Sequence, residues 1–202
     1  MNMPQKDELL SCFNVAQYFL ILVNRELGDT ITQLKLQKLI YFSQGSHLAL
    51  FDKPLFKEEI EAWQYGLVVP CLRAIFGNFA ATPIPSPGEI DFSIYNAQQK
   101  ILIYNIYSFY GEHTVAYLRD LIRQHAIWQQ AIICTNRIIT KEEMSKFFKN
   151  QIKDYFLVPT KENIVQIKNA EDRWLMNYDN GIPTTNDLKE IMHLITKASK
   201  EI

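Results

Sequence analysis

The sequence predicts a mainly α protein: one compact multi-helix domain with at most a small β-hairpin, followed by a C-terminal helical extension. Three observations carry that expectation. Apolar residues recur at alternating three- and four-residue steps along most of the chain, the spacing that lines one face of a helix. Capping residues stand at the starts of those runs, with Gly or Pro at several of their ends. The 202 residues are 48% hydrophobic and 12% aromatic, and a chain of this length buries roughly 70% of the surface its unfolded form exposes, enough for one sizeable core.

Leu9, Phe13, Ala16, Leu20, Val23 and Leu27 predict a first helix from Asp7 to Leu27, stopped by Gly28. Thr30 or Thr32 caps the second, whose apolar face (Leu34, Leu36, Leu39, Ile40, Phe42) runs on to about Leu50 with Lys35 and Lys38 on its wet side. Pro54 and residues 55–66 break the pattern. Ile60, Ala62 and Trp63 suit a short extended segment or a bent turn, and Gly66 changes direction before Leu67-Val68-Val69-Pro70. A third helix follows from Pro70 to Phe79, with Pro at the position whose N–H would be unpaired anyway. Pro83, Pro85, Pro87 and Gly88 then exclude regular structure and mark a surface connection.

Beyond it, Ala97 to Tyr110 reads as a helix stopped by Gly111, Thr114 to Gln124 and Ile127 to Cys134 as two short ones, and Thr140-Lys141-Glu142-Glu143 as a capping-box start for another ending near Asn150. Glu162 to Tyr178 is compatible with a helix. A turn follows at residues 179–183, then a last helix from about Asn186 to Ser199 with an apolar stripe at Leu188, Ile191, Met192, Leu194 and Ile195. The expected organisation is a domain over 1–153 and an extension over 154–202 packed on the core.

Charge and composition narrow the function classes. A net charge of −1, from 21 basic and 22 acidic residues, gives no strong electrostatic reason for nucleic acid or an anionic membrane as main partner, and Arg119, Arg123 and Arg137 are too sparse for a basic stripe. The densest apolar run, Tyr18 to Val23, falls far short of the about 20 residues that cross a bilayer. Lys6, Asp7 and Glu8 do not form the start of a signal peptide, so the expected location is the cytoplasm. Cys12, Cys71 and Cys134 are odd in number and widely spaced, which fits reduced thiols, with Cys71 near a helix start expected as a buried structural one.

His47, His113, His125 and His193 stand singly without ligand spacing, so neither metal nor cofactor is expected. There is no Gly-rich phosphate loop and no G-x-S-x-G elbow. Glu58, Glu59 and Glu61 form an acidic cluster with no histidine beside it in sequence; acid/base chemistry would need a cleft where a carboxylate and His47 converge.

The stretch Leu34-Lys35-Leu36-Gln37-Lys38-Leu39-Ile40-Tyr41-Phe42-Ser43-Gln44-Gly45 continues through His47-Leu48-Ala49-Leu50 and Lys53-Pro54-Leu55-Phe56 to Glu58-Glu59-Ile60-Glu61-Ala62-Trp63-Gln64-Tyr65-Gly66. It closely resembles the signature of the Panacea domain, the SocA-like antitoxin family. A weaker echo follows at Tyr107 to Gly111, Leu118 to Leu121, Trp128-Gln129-Gln130-Ala131 and Ile139 to Met144, so the resemblance reaches from about residue 12 to 150. The chain departs from the family pattern at Gly66-Leu67-Val68, where Gly-Pro-Val is usual. It departs again at Ile122-Arg123 and Ile127-Trp128, where a Thr-His pair and Pro-Trp are usual, so no role of that histidine carries over. Residues 154–202 carry no such motif.

The resemblance implies a helical antitoxin encoded beside a toxin gene in bacteria or phages. Such a protein suppresses the toxin by binding it directly or, as an adaptor, hands it to a Clp-type protease. The expected partner is therefore a cognate toxin protein. The candidate toxin-binding residues are Lys35, Lys38 and Gln44 of the second helix, with Trp63, Tyr65, Gly66 and Val68 beyond it. Amphipathic rings beside a flexible glycine can anchor a partner, although the burial tendency of large aromatics places Trp63 in the core. Lysines on a helix face can meet an acidic toxin surface and speed association.

Overall fold

The architecture is organised around one helix with almost no solvated face. In a computed structural model, which describes residues 9–151 and 160–179, α1 spans Cys12–Leu22, α2 Gln33–Phe51, β1 Ile60–Trp63, β2 Gly66–Val68, α3 Pro70–Phe76 and α4 Ala97–Tyr110. Then come α5 at Val115–Arg123, α6 at Ala126–Ala131, β3 at Ile138–Ile139, α7 at Lys141–Lys149 and α8 at Lys161–Asp179. Every residue of α2 from Leu36 to Leu48 is buried. Thr32 caps it by accepting from the Lys35 N–H, and Asp52 ends it in the left-handed region (φ 56°), where a short polar side chain is tolerated.

The N-terminal helix is shorter than the periodicity suggests. Ser11 and Asn14 form a reciprocal capping box that starts α1 at Cys12. Ahead of it Leu10 is extended, bridged to Phe56 with its N–H on the Leu55 carbonyl at 3.1 Å. At the other end Val23 is extended, a 3-10 turn covers Arg25–Leu27, and the Arg25 guanidinium takes the Leu20 carbonyl at 2.8 Å. Leu9 and Leu27, counted in the helical stripe, are 49% and 79% exposed. They never shared the core face.

The later elements lie where their caps put them. Asn96 with Gln99 and Thr140 with Glu143 form capping boxes for α4 and α7, and Thr114 caps α5. The third helix gives way at Gly77 to a 3-10 turn, and the second of the two short helices ends at Ala131 rather than Cys134. The expected hairpin is β1 paired antiparallel with β2, Ala62 opposite Leu67. A two-residue strand that the sequence does not announce, β3, pairs with the other edge of β1, giving the order β2-β1-β3.

The core lies between α2 and its neighbours α1, α4 and α7. Phe42 stacks on Tyr110 with ring centroids 3.9 Å apart, and Tyr41 meets Phe148 edge-on. His125 joins this group, its Nδ1 2.8 Å from the Tyr41 hydroxyl, and burial lowers its pKa to about 4, so the ring is neutral at pH 7. The Pro-rich connection is pinned by buried Ile84, whose N–H bonds the Ile31 carbonyl.

Helix α8 packs back on the domain. Ile167, Ala170 and Trp174 are buried, the Trp174 indole donates to the Pro87 carbonyl at 3.0 Å, and Glu171 accepts from both the Tyr18 hydroxyl and Lys100 at 2.8 Å. The turn near residue 181 and the last helix expected from Asn186 lie outside the described residues.

A glycine at the contact between α2 and α7 gives a direct test. A Cβ at Gly45 would enter the Phe148 ring of α7, whereas one at Gly77 would meet nothing within 4 Å. Gly45→Ala is expected to cost about 1–3 kcal/mol through overpacking, and Gly77→Ala, at a right-handed position, to lie within about 0.5 kcal/mol of wild type. Urea unfolding midpoints at constant m-value measure the difference.

Candidate functional site

The segment between α2 and α3 has little regular structure, so its backbone groups need partners from elsewhere. The polar residues of α2 supply them. Gln44 Oε1 accepts from the N–H groups of Leu55 and Phe56 at 2.8 and 3.2 Å, while its amide donates to the Phe56 carbonyl at 2.9 Å. Gln37 does the same on the far side of the hairpin, accepting from Val69 N–H at 2.7 Å and donating to its carbonyl at 3.4 Å. Lys38 Nζ donates to the Leu67 carbonyl at 3.2 Å. His47 Nδ1 lies 2.7 Å from the Lys53 carbonyl.

This corrects the expected wet side of the second helix. Lys38 is 1% exposed and Gln44 equally buried, because the returning segment covers them and uses their polar atoms; only Lys35 is half-buried. The ammonium of Lys38 has little water around it. Burial pushes its pKa down to about 8, and the charge of Arg119 on α5 adds to the shift.

The hairpin held by these clamps presents the other candidates. Gly66 sits at φ 114°, a conformation that suits glycine, and a Cβ there would stand 3.1 Å from Lys38 Cε and Nζ. Val68 is buried. Trp63 is half-buried at the surface rather than in the core, its indole N–H on Glu61 Oε2 at 2.8 Å and the Arg73 guanidinium 5.3 Å over its ring. Tyr65, at the turn, is 72% exposed.

The structure thus brings Lys38, Gly66, Val68, Trp63 and Tyr65 to one hairpin, while Gln44 anchors the chain leading into it. Two basic residues that sequence reasoning did not associate with this region adjoin it: Arg73 from α3, and Arg119 from α5, which is paired with Asp120. The Arg73–Trp63 contact depends on how a strand and the next helix fold together, and no spacing rule announces it.

The acidic cluster takes a different place. Glu58 and Glu59 line a cleft of about 220 Å³ with Ile138, Thr140, Lys141 and Glu142, whereas Glu61 is engaged with Trp63. His47 faces the Lys53 carbonyl and is not among the residues lining the cleft. Near its wall, Glu58 Oε2 accepts the Cys12 N–H at 2.9 Å, and Cys12 Sγ lies 2.7 Å from Cys71 Sγ. Cys71 is half-buried, not the fully buried thiol expected. Among the described residues, no helix is long and apolar enough to cross a membrane.

A family model described as "Antitoxin SocA-like, Panacea domain" matches residues 36–198. The chain belongs to this family. No curated protein and no solved structure gives a match. The Panacea match opens inside α2, at the start of the polar clamps, and runs through α8 well beyond residue 150, so it includes most of the C-terminal stretch in which no motif is visible by eye.

The depressed pKa of Lys38 makes a signed prediction. Its folded value near 8 lies below the ordinary 10.5, so between those pH values the unfolded state binds more protons and stability rises with pH, by at most about 3 kcal/mol. Lys38→Met lacks that rise. Urea unfolding of both proteins at pH 8 and 10.5 tests it, since tyrosine ionisation is common to the two and drops out of the difference.

Proposed function

We propose that this Panacea-domain chain is an antitoxin that neutralises a cognate toxin protein, the product of an adjacent gene, by binding it directly through the hairpin surface. The observation that carries this reading is Tyr65: a large amphipathic ring, 72% exposed, on a turn whose flanking strands are fastened to a buried helix. Trp63 flanks it, with Arg73 over the ring. Aromatic and arginine side chains dominate binding energy at interfaces, and a ring on a clamped backbone loses little conformational freedom on docking.

Arg73 and Arg119, with the buried ammonium of Lys38 behind them, favour an acidic toxin surface, and Lys35 lies further along the same helix. An interface of ordinary size buries about 1,600 Å² in total, so the hairpin is its centre and not its whole extent.

The test is co-expression with the neighbouring gene product, followed by affinity measurement on the purified pair. Tyr65→Ala is expected to weaken binding about 30-fold or more while leaving the unfolding midpoint unchanged, and Ile133→Ala, an exposed apolar site with 85% exposure, to change neither. Wild-type affinity in Tyr65→Ala removes the hairpin from the interface; absence of any complex removes direct neutralisation. A toxin half-life unaltered by the antitoxin separates simple occupation from delivery to a Clp-type protease.

A further inference from the structure

Two thiols from the starts of two different helices meet beneath the hairpin. Cys12 is the first residue of α1 and Cys71 the second of α3, and their sulfurs are 2.7 Å apart across a sequence separation of 59 residues. A disulfide has a length of about 2.05 Å, so closing the bond asks for an approach of only about 0.7 Å. The backbone N–H of Cys12 is held by Glu58, just ahead of β1, and Cys71 follows β2. Both ends of the segment that carries the hairpin therefore converge on Cys12.

We propose that Cys12 and Cys71 form a reversible dithiol–disulfide site, oxidised by hydrogen peroxide, that fastens the base of the hairpin to α1. The two thiols are unequal. Cys12 is 1% exposed, and its contact with Cys71 together with burial raises its pKa, so it rests as the protonated thiol. Cys71 is half-buried and is the sulfur an oxidant reaches.

In the first step Cys71 loses its proton to solvent and the thiolate attacks one peroxide oxygen. The O–O bond breaks, hydroxide leaves, and Cys71 becomes the sulfenic acid. In the second, Cys12 Sγ attacks Cys71 Sγ, its proton passing to the neighbouring Glu58 carboxylate as the S–O bond breaks and a second hydroxide departs. The released protons convert both hydroxides to water. Two thiols have then given two electrons and two protons to one peroxide, yielding a disulfide and two waters, and an external dithiol reverses the change.

The proposal is independent of the toxin-binding reading, and its test needs no partner. Cys134 is exposed and would cross-link between molecules, so the full chain carries Cys134→Ser. Reduced protein is treated with hydrogen peroxide under native conditions, free thiols are alkylated, and intact mass, peptide maps and thermal unfolding are recorded. The expected result is a monomer lighter by about 2 Da, a cross-linked peptide pair containing Cys12 and Cys71, and a melting temperature raised by several degrees, because the bond restricts a long loop of the unfolded chain.

Dithiothreitol reverses all three changes. In the same background Cys12→Ser is expected to gain oxygen on Cys71 with no rise in melting temperature. Oxygen added to Cys71 while Cys12 remains alkylatable in the chain that keeps both thiols, or a cross-link formed only in urea, overturns the proposal. If Cys12→Ser fails to fold, Cys71→Ser serves as the second control, and peroxide resistance of its buried Cys12 is the expected outcome.

Discussion

The structure depends on one constraint: a segment with only a short hydrogen-bonding ladder of its own is packed against the most buried helix of the fold. Between Lys53 and Val69 the chain makes one short hairpin and otherwise runs irregularly, and burying such backbone unpaired costs about 1–3 kcal/mol for each orphaned group. Gln37, Lys38, Gln44 and His47 meet that need from a single helix, at positions that turn towards the returning chain. The glutamines are suited to it because one amide offers both a donor and an acceptor, matching the two polar groups of a peptide unit.

The same arrangement carries an electrostatic consequence. Gln37 and Gln44 satisfy backbone groups without charge, but Lys38 does so with an ammonium that burial disfavours, as its lowered pKa records. A neutral donor would hold the Leu67 carbonyl at less electrostatic cost. What the lysine adds is a positive potential immediately behind Gly66, whose lack of a side chain leaves the room that Lys38 Cε and Nζ occupy. The toxin-binding reading gives that potential a use, because fields are screened less through a dry protein edge than across open solvent.

Much of the helical framework was legible in the sequence, for local reasons. The capping box at Thr140, the Thr114 cap and Pro70 are short-range chemistry that works in any context, and the elements they start begin as expected. The errors arise where distant chain decides. Polar residues inside a helical pattern read as a wet face, yet Lys38 and Gln44 are covered by backbone that arrives later in the sequence. Leu9 and Leu27 fit the periodicity of the first helix but fall outside it, because Ser11 with Asn14 starts the helix later and Val23 turns away. β3 is two residues long and exists through pairing with β1, which leaves no periodicity to find. For the candidate site, Trp63, Tyr65 and Gly66 were visible as a cluster, whereas Arg73 over Trp63 was not, since that contact belongs to the angle between a strand and the next helix.

The division between clamped base and open tip also bears on where binding energy can come from. Lys38, Gln44, Gly66 and Val68 are buried, so a partner gains little by touching them directly; their effect is to hold the backbone still. Tyr65 is exposed and Trp63 half-buried, so on the proposed reading these two rings are what the toxin meets. Ordering a mobile side chain at an interface costs about 0.5–1.5 kcal/mol, and ordering a loop adds to it. A tyrosine has few rotatable bonds and stands here on a turn whose strands are already fixed, so most of its burial on docking survives as affinity. On the proposed reading, the tip of the hairpin contributes its binding energy at little cost in order.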